Sequence, residues 1–190
     1  MSSRVNERIA ARLRALRAER GLSLDALAEA SGVSRSGLSL IERAGSSPTA
    51  VVLDRIAAAL DVPLSSFFEA APVADPVARR ADQPVWQDPA TGYTRRIVSP
   101  AVPGIGVQLV EIEFPAGAEI HYDSEPTSGS QQQFWVLNGA IEFRHGDEVH
   151  HLRKGDCLAV RRTATTVFRN TTDRPARYLL VAPAPGGSER

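Results

Sequence analysis

Residues 23–43 read SLDALAEASGVSRSGLSLIER, and this stretch decides the fold of the N-terminal part of the chain. Ser23 and Ser34 each precede a run with helical periodicity, where a hydroxyl oxygen can accept a hydrogen bond from the unpaired N–H groups of a first turn. Leucine and isoleucine recur at helical spacing in both runs. Because only residues 31–33 separate the runs, the two short helices must cross steeply. The stretch therefore predicts a helix-turn-helix.

The helical pattern continues on both sides of this stretch. Apolar residues at every third or fourth position predict a first helix over about residues 6–20, ended by Gly21. Thr49 predicts the N-cap of a fourth helix, and residues 64–68 predict a last short one. Residues 9–68 thus resemble the five-helix DNA-binding domain of the bacterial and phage repressor family that includes lambda and 434 repressor. The resemblance implies that the helix from residue 35 enters the major groove of DNA.

The resemblance assigns base reading to the exposed face of residues 35–43. With Leu38 and Ile41 turned toward the core, the opposite face carries arginine, serine and one leucine. That leucine, Leu40, suits a thymine methyl group, although single surface leucines are common, and both interpretations stay open. Ser23 is expected to approach a phosphate together with backbone N–H groups. The predicted DNA-binding residues are Ser23, Ser34, Arg35, Ser36, Ser39, Leu40 and Arg43.

The same resemblance divides the arginines of the first helix into two roles. Arg17 falls where the family holds an arginine that pairs with a glutamate of the third helix, here Glu42. We therefore assign Arg17 to structure. Arg12 and Arg14 are candidates for contact with the DNA backbone.

Composition and charge exclude several classes of protein. Hydrophobic residues make up 43% of the 190 residues, which is normal for a globular protein and excludes disorder throughout. No run of apolar residues is long enough to span a membrane, and residues 1–8 do not resemble an export signal, so we expect a cytoplasmic protein. A single cysteine, Cys157, fits a reducing compartment. Residues 1–45 hold eight arginines and five acidic residues although the whole chain is neutral, which favours a basic DNA-reading domain on a neutral or acidic partner.

The chain changes character after the helical part. We expect a helical domain at 1–69, a linker rich in alanine, proline and charge at 70–84, a β-domain at 85–184 and a disordered tail at 185–190. Asn138-Gly139 and residues 145–147 predict hairpin turns. Many short strands of regular spacing suggest a sandwich or jelly-roll barrel. Strands are predicted at 94–98, 106–114, 132–137, 140–144, 148–152, 157–160, 167–170 and 177–181.

Residues 85–184 resemble a cupin, a jelly-roll barrel with two sequence motifs. The first motif is matched by Gly117, His121, Asp123, Gln132 and Gly139, and the second by Gly155, Asp156, Arg161, Thr163, Thr166 and Asn170. The predicted fold class is therefore a multi-domain α and β protein, with a five-helix lambda-repressor-like domain followed by a cupin barrel.

Departures from the cupin motifs decide the expected chemistry. Metal-binding cupins use three histidines and one glutamate, and this sequence has His121, Asp123, Gln132 and Thr166 at those positions. An amide and a hydroxyl are poor ligands for a divalent transition metal, so only two good donors remain. We therefore expect no bound metal and no other cofactor.

The same positions point into the barrel in cupins, which favours a site for a small organic effector. Phe134 and Phe168 share the faces of Gln132 and Thr166. Arg161 is a candidate for contact with a carboxylate or phosphate, and a position in a solvated turn is an equal alternative. Polar groups over an aromatic floor are typical of ligand sites, whereas the alternative is a barrel filled by its own side chains. The predicted effector-binding residues are His121, Asp123, Gln132, Phe134, Arg161, Thr166 and Phe168.

These features together predict a DNA-binding transcriptional regulator with a cupin domain that senses an effector and forms a homodimer or a higher multiple of one. Its expected partners are double-stranded operator DNA, a small molecule and a second copy of the chain. One alternative is an enzyme: some cupins fused to this type of helix-turn-helix are iron-dependent epoxidases of phosphonates with two histidines and a carboxylate as ligands. A second alternative is a regulator whose β-domain only dimerises.

Overall fold

The computed structural model describes residues 2–68, 73, 75–123 and 130–184. In this part of the chain four α-helices precede ten β-strands. The helices are α1 (Ser2–Glu19), α2 (Leu24–Ser31), α3 (Arg35–Glu42) and α4 (Ala50–Ala59), followed by a 3-10 helix at Leu64–Phe68. None of the helices in the described ranges has the length and apolar character that a membrane span requires.

Local hydrogen bonds set the ends of the helices. Ser23, Ser34 and Thr49 accept hydrogen bonds from the backbone N–H three residues on, at 3.0, 3.1 and 3.2 Å respectively. The three predicted N-caps are therefore confirmed, and each contributes about 1 kcal/mol to stability. Gly32 ends α2 in the left-handed conformation with φ 66°, which glycine adopts without steric cost.

The helical domain buries one apolar stripe from each helix. The expected fifth α-helix is not formed, because residues Leu64–Phe68 wind as a 3-10 helix in which the Ser66 N–H donates to the Pro63 carbonyl at 2.9 Å. Five residues are too few for a stable second α-turn. The core of this domain consists of Ile9, Leu13, Leu16, Leu27, Leu38, Ile41, Leu53, Ile56, Leu60, Phe67 and Phe68.

The β-domain is a sandwich of two antiparallel sheets. One sheet has the strand order β1-β2-β3-β10-β5-β8 and the other has the order β4-β9-β6-β7. The strands are β1 (Val85–Gln87), β2 (Thr94–Ile97), β3 (Val107–Phe114), β4 (Glu119–Tyr122), β5 (Ser130–Asn138), β6 (Ala140–His145), β7 (Glu148–Arg153), β8 (Cys157–Arg162), β9 (Thr166–Arg169) and β10 (Ala176–Pro183).

The eight predicted strands are all present, and the short strands β1 and β4 are additional. The expected hairpin at Gly146 is confirmed, since β6 and β7 pair there. The expected hairpin at Asn138-Gly139 is wrong, because β5 and β6 belong to different sheets. Gly139 is instead the corner where the chain crosses between sheets. Its φ is 77°, and an added Cβ would lie 2.9 Å from the Ala176 Cα, so only glycine fits.

Aromatic rings fill the space between the two sheets. The rings of Phe134, Phe143 and Phe168 lie 4.9–5.4 Å apart between centroids, in tilted or edge-to-face arrangements. All three are buried. The centre of the barrel is therefore packed by phenylalanine.

No helix or strand forms in residues 75–84, which belong to the predicted linker. Four other linker residues, 70–72 and 74, and the predicted tail at 185–190 lie outside the described residues.

Candidate nucleic-acid interface and barrel site

The outer face of α3 gathers most of the predicted DNA-binding residues. Ser34, Arg35, Ser36 and Arg43 are exposed, and Ser39 is half-buried. The opposite face of the helix is closed, because Leu38 and Ile41 are buried in the core. Ser23 is exposed at the start of α2. The structure thus places the whole predicted set on the accessible side of the helix-turn-helix.

Arg35 pairs with a residue that the sequence did not indicate. Its Nε lies 2.9 Å from the Asp25 Oδ1 in the first turn of α2, with both side chains largely exposed. An arginine with this exposure can donate parallel N–H groups to guanine, as arginine commonly does in the major groove.

Leu40 lies over the C-terminal turn of α3. Ala44 adopts the left-handed conformation with φ 56°, and the Gly45 N–H donates to the Leu40 carbonyl at 2.9 Å. A Cβ at Gly45 would come within 2.8 Å of a Leu40 methyl carbon, so the leucine packs directly on the glycine backbone. Leu40 nevertheless remains 42% exposed. Packing on Gly45 therefore accounts for one side of the Leu40 side chain, while its other side stays exposed and could contact a thymine methyl group.

Arg17 and Glu42 form the predicted structural pair. Arg17 Nε and Nη2 donate to the two carboxylate oxygens of Glu42 at 2.7 and 3.0 Å, and Nη1 donates to the Leu22 carbonyl at 2.8 Å. The hydrogen bond to Glu42 raises the pKa of Arg17. A bidentate pair of this kind holds α1 against α3. Arg12 also serves the fold, because its Nε donates to the Ser66 carbonyl at 3.3 Å.

Two residues of the predicted effector site, His121 on β4 and Asp123 just after it, do not face the barrel interior. Ile120 and Tyr122 are buried, and successive side chains of a strand point to opposite faces, so His121 lies on the outside of the barrel. There it contacts Glu119. Asp123 is exposed and pairs with Arg55 at 3.2 Å. The expectation that His121 and Asp123 point into the barrel is therefore wrong. Their neighbours Ile120 and Tyr122 occupy the inward positions of this strand.

Strands β5, β8 and β9 divide the rest of the predicted site. Phe134, Phe168 and Thr166 are buried between the sheets, and Gln132 is half-buried on the same face as Phe134. Arg161 is exposed and belongs to the outer face of β8, contrary to the expectation that it lines the barrel. The inward-facing part of the predicted site therefore consists of one amide, one hydroxyl and two aromatic rings.

These residues do not fit the metal site of cupins. Thr166 already accepts a hydrogen bond from the Arg162 Nε at 3.0 Å, and an arginine beside the position of a ligand disfavours a cation. In the described ranges, no three side chains of histidine, cysteine, aspartate or glutamate are grouped for metal binding.

A buried ion pair that the sequence did not indicate joins the two domains. Arg162 of β8 donates to both carboxylate oxygens of Asp54 on α4, at 2.7 and 2.9 Å. Its guanidinium also lies 5.0 Å from the centre of the Tyr122 ring. The exposed fractions of the two paired side chains are 9% and 4%. The sequence does place Arg162 at an inward position of a strand and Asp54 beside the apolar stripe of α4. Nothing in the sequence, however, indicates that these two residues pair.

A second junction holds the N-terminus of α4. The Ala50 N–H donates to the buried carboxylate of Asp88, in the loop between β1 and β2, at 2.8 Å. A carboxylate at this position also complements the helix dipole. Nearby, the Phe68 ring of the helical domain meets the Trp86 ring of β1 edge-on at 5.5 Å. The β-domain therefore contacts α4 at two points, through Asp88 at Ala50 in the first turn and through Arg162 at Asp54 in the middle of the helix.

Comparison with known proteins gives the same two parts. The helix-turn-helix family matches residues 13–67, and the cupin domain family matches residues 110–182. The HTH-type transcriptional regulator SutR of Escherichia coli K12 is 29% identical over 166 residues, which span 87% of this chain and 89% of SutR.

A solved structure matches this chain over almost its whole length. The crystal structure of an HTH_3 family transcriptional regulator from Vibrio cholerae matches with a TM-score of 0.74 and 26% identity, covering 97% of this chain and 99% of that one. The hydroxypropylphosphonic acid epoxidase of S. wedmorenis matches with a TM-score of 0.49 and 16% identity over 96% of this chain and 100% of that one, which carries no argument about activity. A helix-turn-helix domain, a C-terminal cupin domain and relatives that are transcriptional regulators together support a DNA-binding transcriptional regulator with a cupin domain.

Proposed function

We propose that this regulator reads a specific operator through the outer face of α3, responds to a small organic effector in its β-domain and acts as a homodimer. The observation that carries the proposal is the exposed face of α3, whose arginine, serines and single leucine take no part in the helical core. Arg35, Ser36, Ser39 and Leu40 contact base edges in this proposal. Ser23, Ser34 and Arg43 contact the phosphate backbone at the margins of the groove.

Selection from a random pool of duplex DNA tests the reading function directly. We expect the full-length protein to enrich one sequence that contains two inverted half-sites a helical turn apart. An enriched pool without any shared sequence would contradict specific reading by α3.

The effector proposal rests on the link between the barrel lining and α4. Thr166 faces the interior and bonds Arg162, and Arg162 holds Asp54 of the helical domain. A ligand that competes for Thr166 would change the hydrogen bonds of Arg162, and hence the position of α4. A typical coupling between two such sites is about 1–3 kcal/mol.

Mass spectrometry of the small molecules released from purified protein tests this proposal, with Thr166→Val as the matched variant. Valine keeps the shape of threonine but cannot accept from Arg162. We expect a stoichiometric organic molecule in the wild type and much less of it in the variant. Equal recovery from both proteins would remove Thr166 from the effector site.

We propose a regulatory rather than an enzymatic role for the cupin domain. The proposal is supported by the chemistry of the inward-facing residues, in which a neutral amide and a hydroxyl occupy positions of metal ligands. Metal analysis of the purified protein tests it, since stoichiometric iron bound through His121 and Asp123 would favour the epoxidase alternative. We further propose that the protein works in the cytoplasm and that its domains comprise residues 1–69 and 85–184.

The homodimer is proposed to form through the outer face of the six-stranded sheet. Val107 and Trp135 of this face are 51% and 48% exposed, and between them lie the outward side chains of Leu109, Leu179 and Val181. A groove of about 450 Å³ runs over the same face, bordered by Val107, Gln133, Ala159, Arg161 and Val181. The charged side chain beside this patch, Glu111 opposite Leu179, is already paired with Arg80 and Arg96, so a second copy can pack on the apolar side chains in a self-complementary twofold contact.

A further inference from the structure

Arg95 is a buried arginine that the regulator functions above do not use. It lies on β2 with its side chain on the inner face and is 5% exposed. Among the described residues, no carboxylate lies within ion-pair distance of its guanidinium, and its buried Nε has no hydrogen-bond partner. Its guanidinium carbon lies 5.2 Å from the centre of the Phe68 ring, in the helical domain. Burying an N–H donor without an acceptor costs free energy, so an acceptor is expected to reach the Arg95 Nε.

Two buried tyrosines lie near Arg95, and a third contacts one of them. Burial raises the pKa of Tyr93 and Tyr178, and the charge of Arg95 opposes that shift in both, together with a side-chain hydrogen bond to Arg95 in Tyr93, so both phenols are neutral. The Tyr93 hydroxyl lies 3.4 Å from the Tyr122 hydroxyl. In the described part of the chain the Tyr178 hydroxyl makes no hydrogen bond of its own. The cluster is therefore rich in donors and poor in acceptors.

Two carboxylates, Asp88 and Asp54, act on the tyrosines of this cluster, and both are occupied elsewhere. Asp54 binds Arg162 through both oxygens. Asp88 accepts from the Ala50 N–H with one oxygen and from the backbone and hydroxyl of Thr91 with the other. Neither supplies an acceptor for the Arg95 Nε.

We propose that Arg95, with the hydroxyls of Tyr93 and Tyr178, binds the carboxylate of a small organic anion at the seam between the two domains. A planar carboxylate matches the parallel N–H groups of a guanidinium, and phenol hydroxyls can donate to its remaining lone pairs. The rings of Phe68 and Trp86, 5.5 Å apart beside the cluster, favour an anion with an aromatic or branched apolar body.

A ligand at this site would contact both domains and could therefore change how the helical domain is held on the β-domain. Phe68 belongs to the helical domain, whereas Arg95 and the tyrosines belong to the β-domain, so one ligand would touch both. This part of the inference rests on the proposed effector function. Binding of the anion itself does not depend on that function and can be measured without DNA.

Thermal unfolding and calorimetric titration of the full-length protein test the site. The probes are benzoate and acetate as carboxylates and inorganic phosphate and sulfate as other oxyanions, at constant ionic strength with chloride as the background ion. We expect benzoate to bind saturably and to raise the melting temperature of the wild type. Arg95→Met should weaken benzoate binding by about tenfold or more, because it removes a charge-assisted hydrogen bond. Tyr178→Phe should weaken it by a smaller factor, and it provides a second variant if Arg95→Met does not fold.

Arg96→Met is the matched control, since Arg96 lies next along β2, on the opposite face, and pairs with Glu111 at 3.5 Å. This variant should bind benzoate like the wild type. Binding of phosphate or sulfate but not of either carboxylate would overturn the carboxylate assignment. No response to any of the four anions, or an equal response in the Arg95→Met and wild-type proteins, would overturn the site. DNA selection without added anion tests the proposed regulator function independently of these outcomes.

Discussion

At the scale of single residues, three buried or half-buried arginines show how a charged side chain is used inside this protein. Arg17 and Arg162 each hold a carboxylate through two hydrogen bonds. Arg95 instead lies over an aromatic ring with its Nε unbonded. The first two therefore stabilise contacts between helices and between domains, while the third is available to a ligand.

Removing Glu42 should destabilise the helical domain. Glu42→Ala leaves the Arg17 guanidinium without its partner, and we expect a loss of about 3 kcal/mol in the free energy of unfolding. Urea denaturation measures this loss. Glu29→Ala, an exposed glutamate on α2, is the control and should stay within about 0.5 kcal/mol of the wild type. Equal stability of the two variants would remove the structural role of the pair.

Removing Arg35 should weaken and broaden operator recognition. Arg35→Ala is expected to cost about 1–3 kcal/mol in binding and to relax the preference at one base pair, because a bidentate contact with guanine would be lost. Titration of the selected operator and its single-base variants measures both effects. The exposed Arg153→Ala in the β-domain should leave them unchanged. Unchanged affinity of Arg35→Ala would exclude a base contact.

At the scale of elements, the corner between β5 and β6 determines how the two sheets connect. The chain leaves one sheet at Asn138 and enters the other at Ala140. Gly139 makes this turn with a positive φ and almost touches the backbone of β10. A single residue thus allows the close approach of two strands.

Gly139→Ala should therefore destabilise the β-domain more than another glycine with a positive φ. An alanine Cβ at residue 139 meets the Ala176 Cα at 2.9 Å, and we expect a loss of about 2–3 kcal/mol from strain and backbone shifts. Gly117 has a φ of 67° with open space around it, so Gly117→Ala should cost only about 1 kcal/mol. Thermal and urea unfolding compare the two. Equal losses would show that the conformation alone, and not the contact, is responsible.

At the scale of the whole molecule, the DNA-reading domain is docked on the β-domain rather than loosely tethered. Asp54–Arg162 and Ala50–Asp88 both join α4 to the barrel, and aromatic packing of Phe68 extends the contact. A change in the barrel can therefore reach the helix-turn-helix without passing through the connecting segment.

A double-mutant cycle on Asp54 and Arg162 tests this docking. Each single alanine variant should lose about 3–5 kcal/mol, because it leaves a buried charge unpaired, and the double variant should lose clearly less than the sum. The control cycle uses Arg55 and Asp123, an exposed pair between the same two domains. Its interaction energy should stay within about 1 kcal/mol. Additive losses at Asp54 and Arg162 would contradict a shared ion pair.

Trp135→Glu should prevent dimerisation if the outer face of the six-stranded sheet is the interface. A charge buried in an apolar contact has no partner there and strongly disfavours association. Light scattering should show a dimer for the wild type and a monomer for the variant. Val149→Glu, at a valine that is also 48% exposed but lies on the other sheet, should remain dimeric. A dimeric Trp135→Glu protein would place the interface elsewhere.

The sequence alone determined the features that depend on residues close together in the chain or on a motif shared with known families. The caps at Ser23 and Ser34 follow from hydrogen bonds that span three residues, and the Arg17–Glu42 pair follows from the repressor-like pattern. Strand positions were predictable because alternation repeats every two residues. The same short period made the register of β4 fragile, since a shift of one residue moves His121 from the inside of the barrel to the outside.

Only the tertiary structure decided which distant residues meet. Asp54 and Arg162 are separated by 108 positions, and no local pattern specifies their contact. The partner of Asp25, the crossing of the chain at Gly139 and the unpaired Nε of Arg95 likewise appear only once the elements are packed. The physical reason is that hydrogen bonds within a turn or strand depend on local spacing, whereas contacts between domains depend on how two finished surfaces fit together.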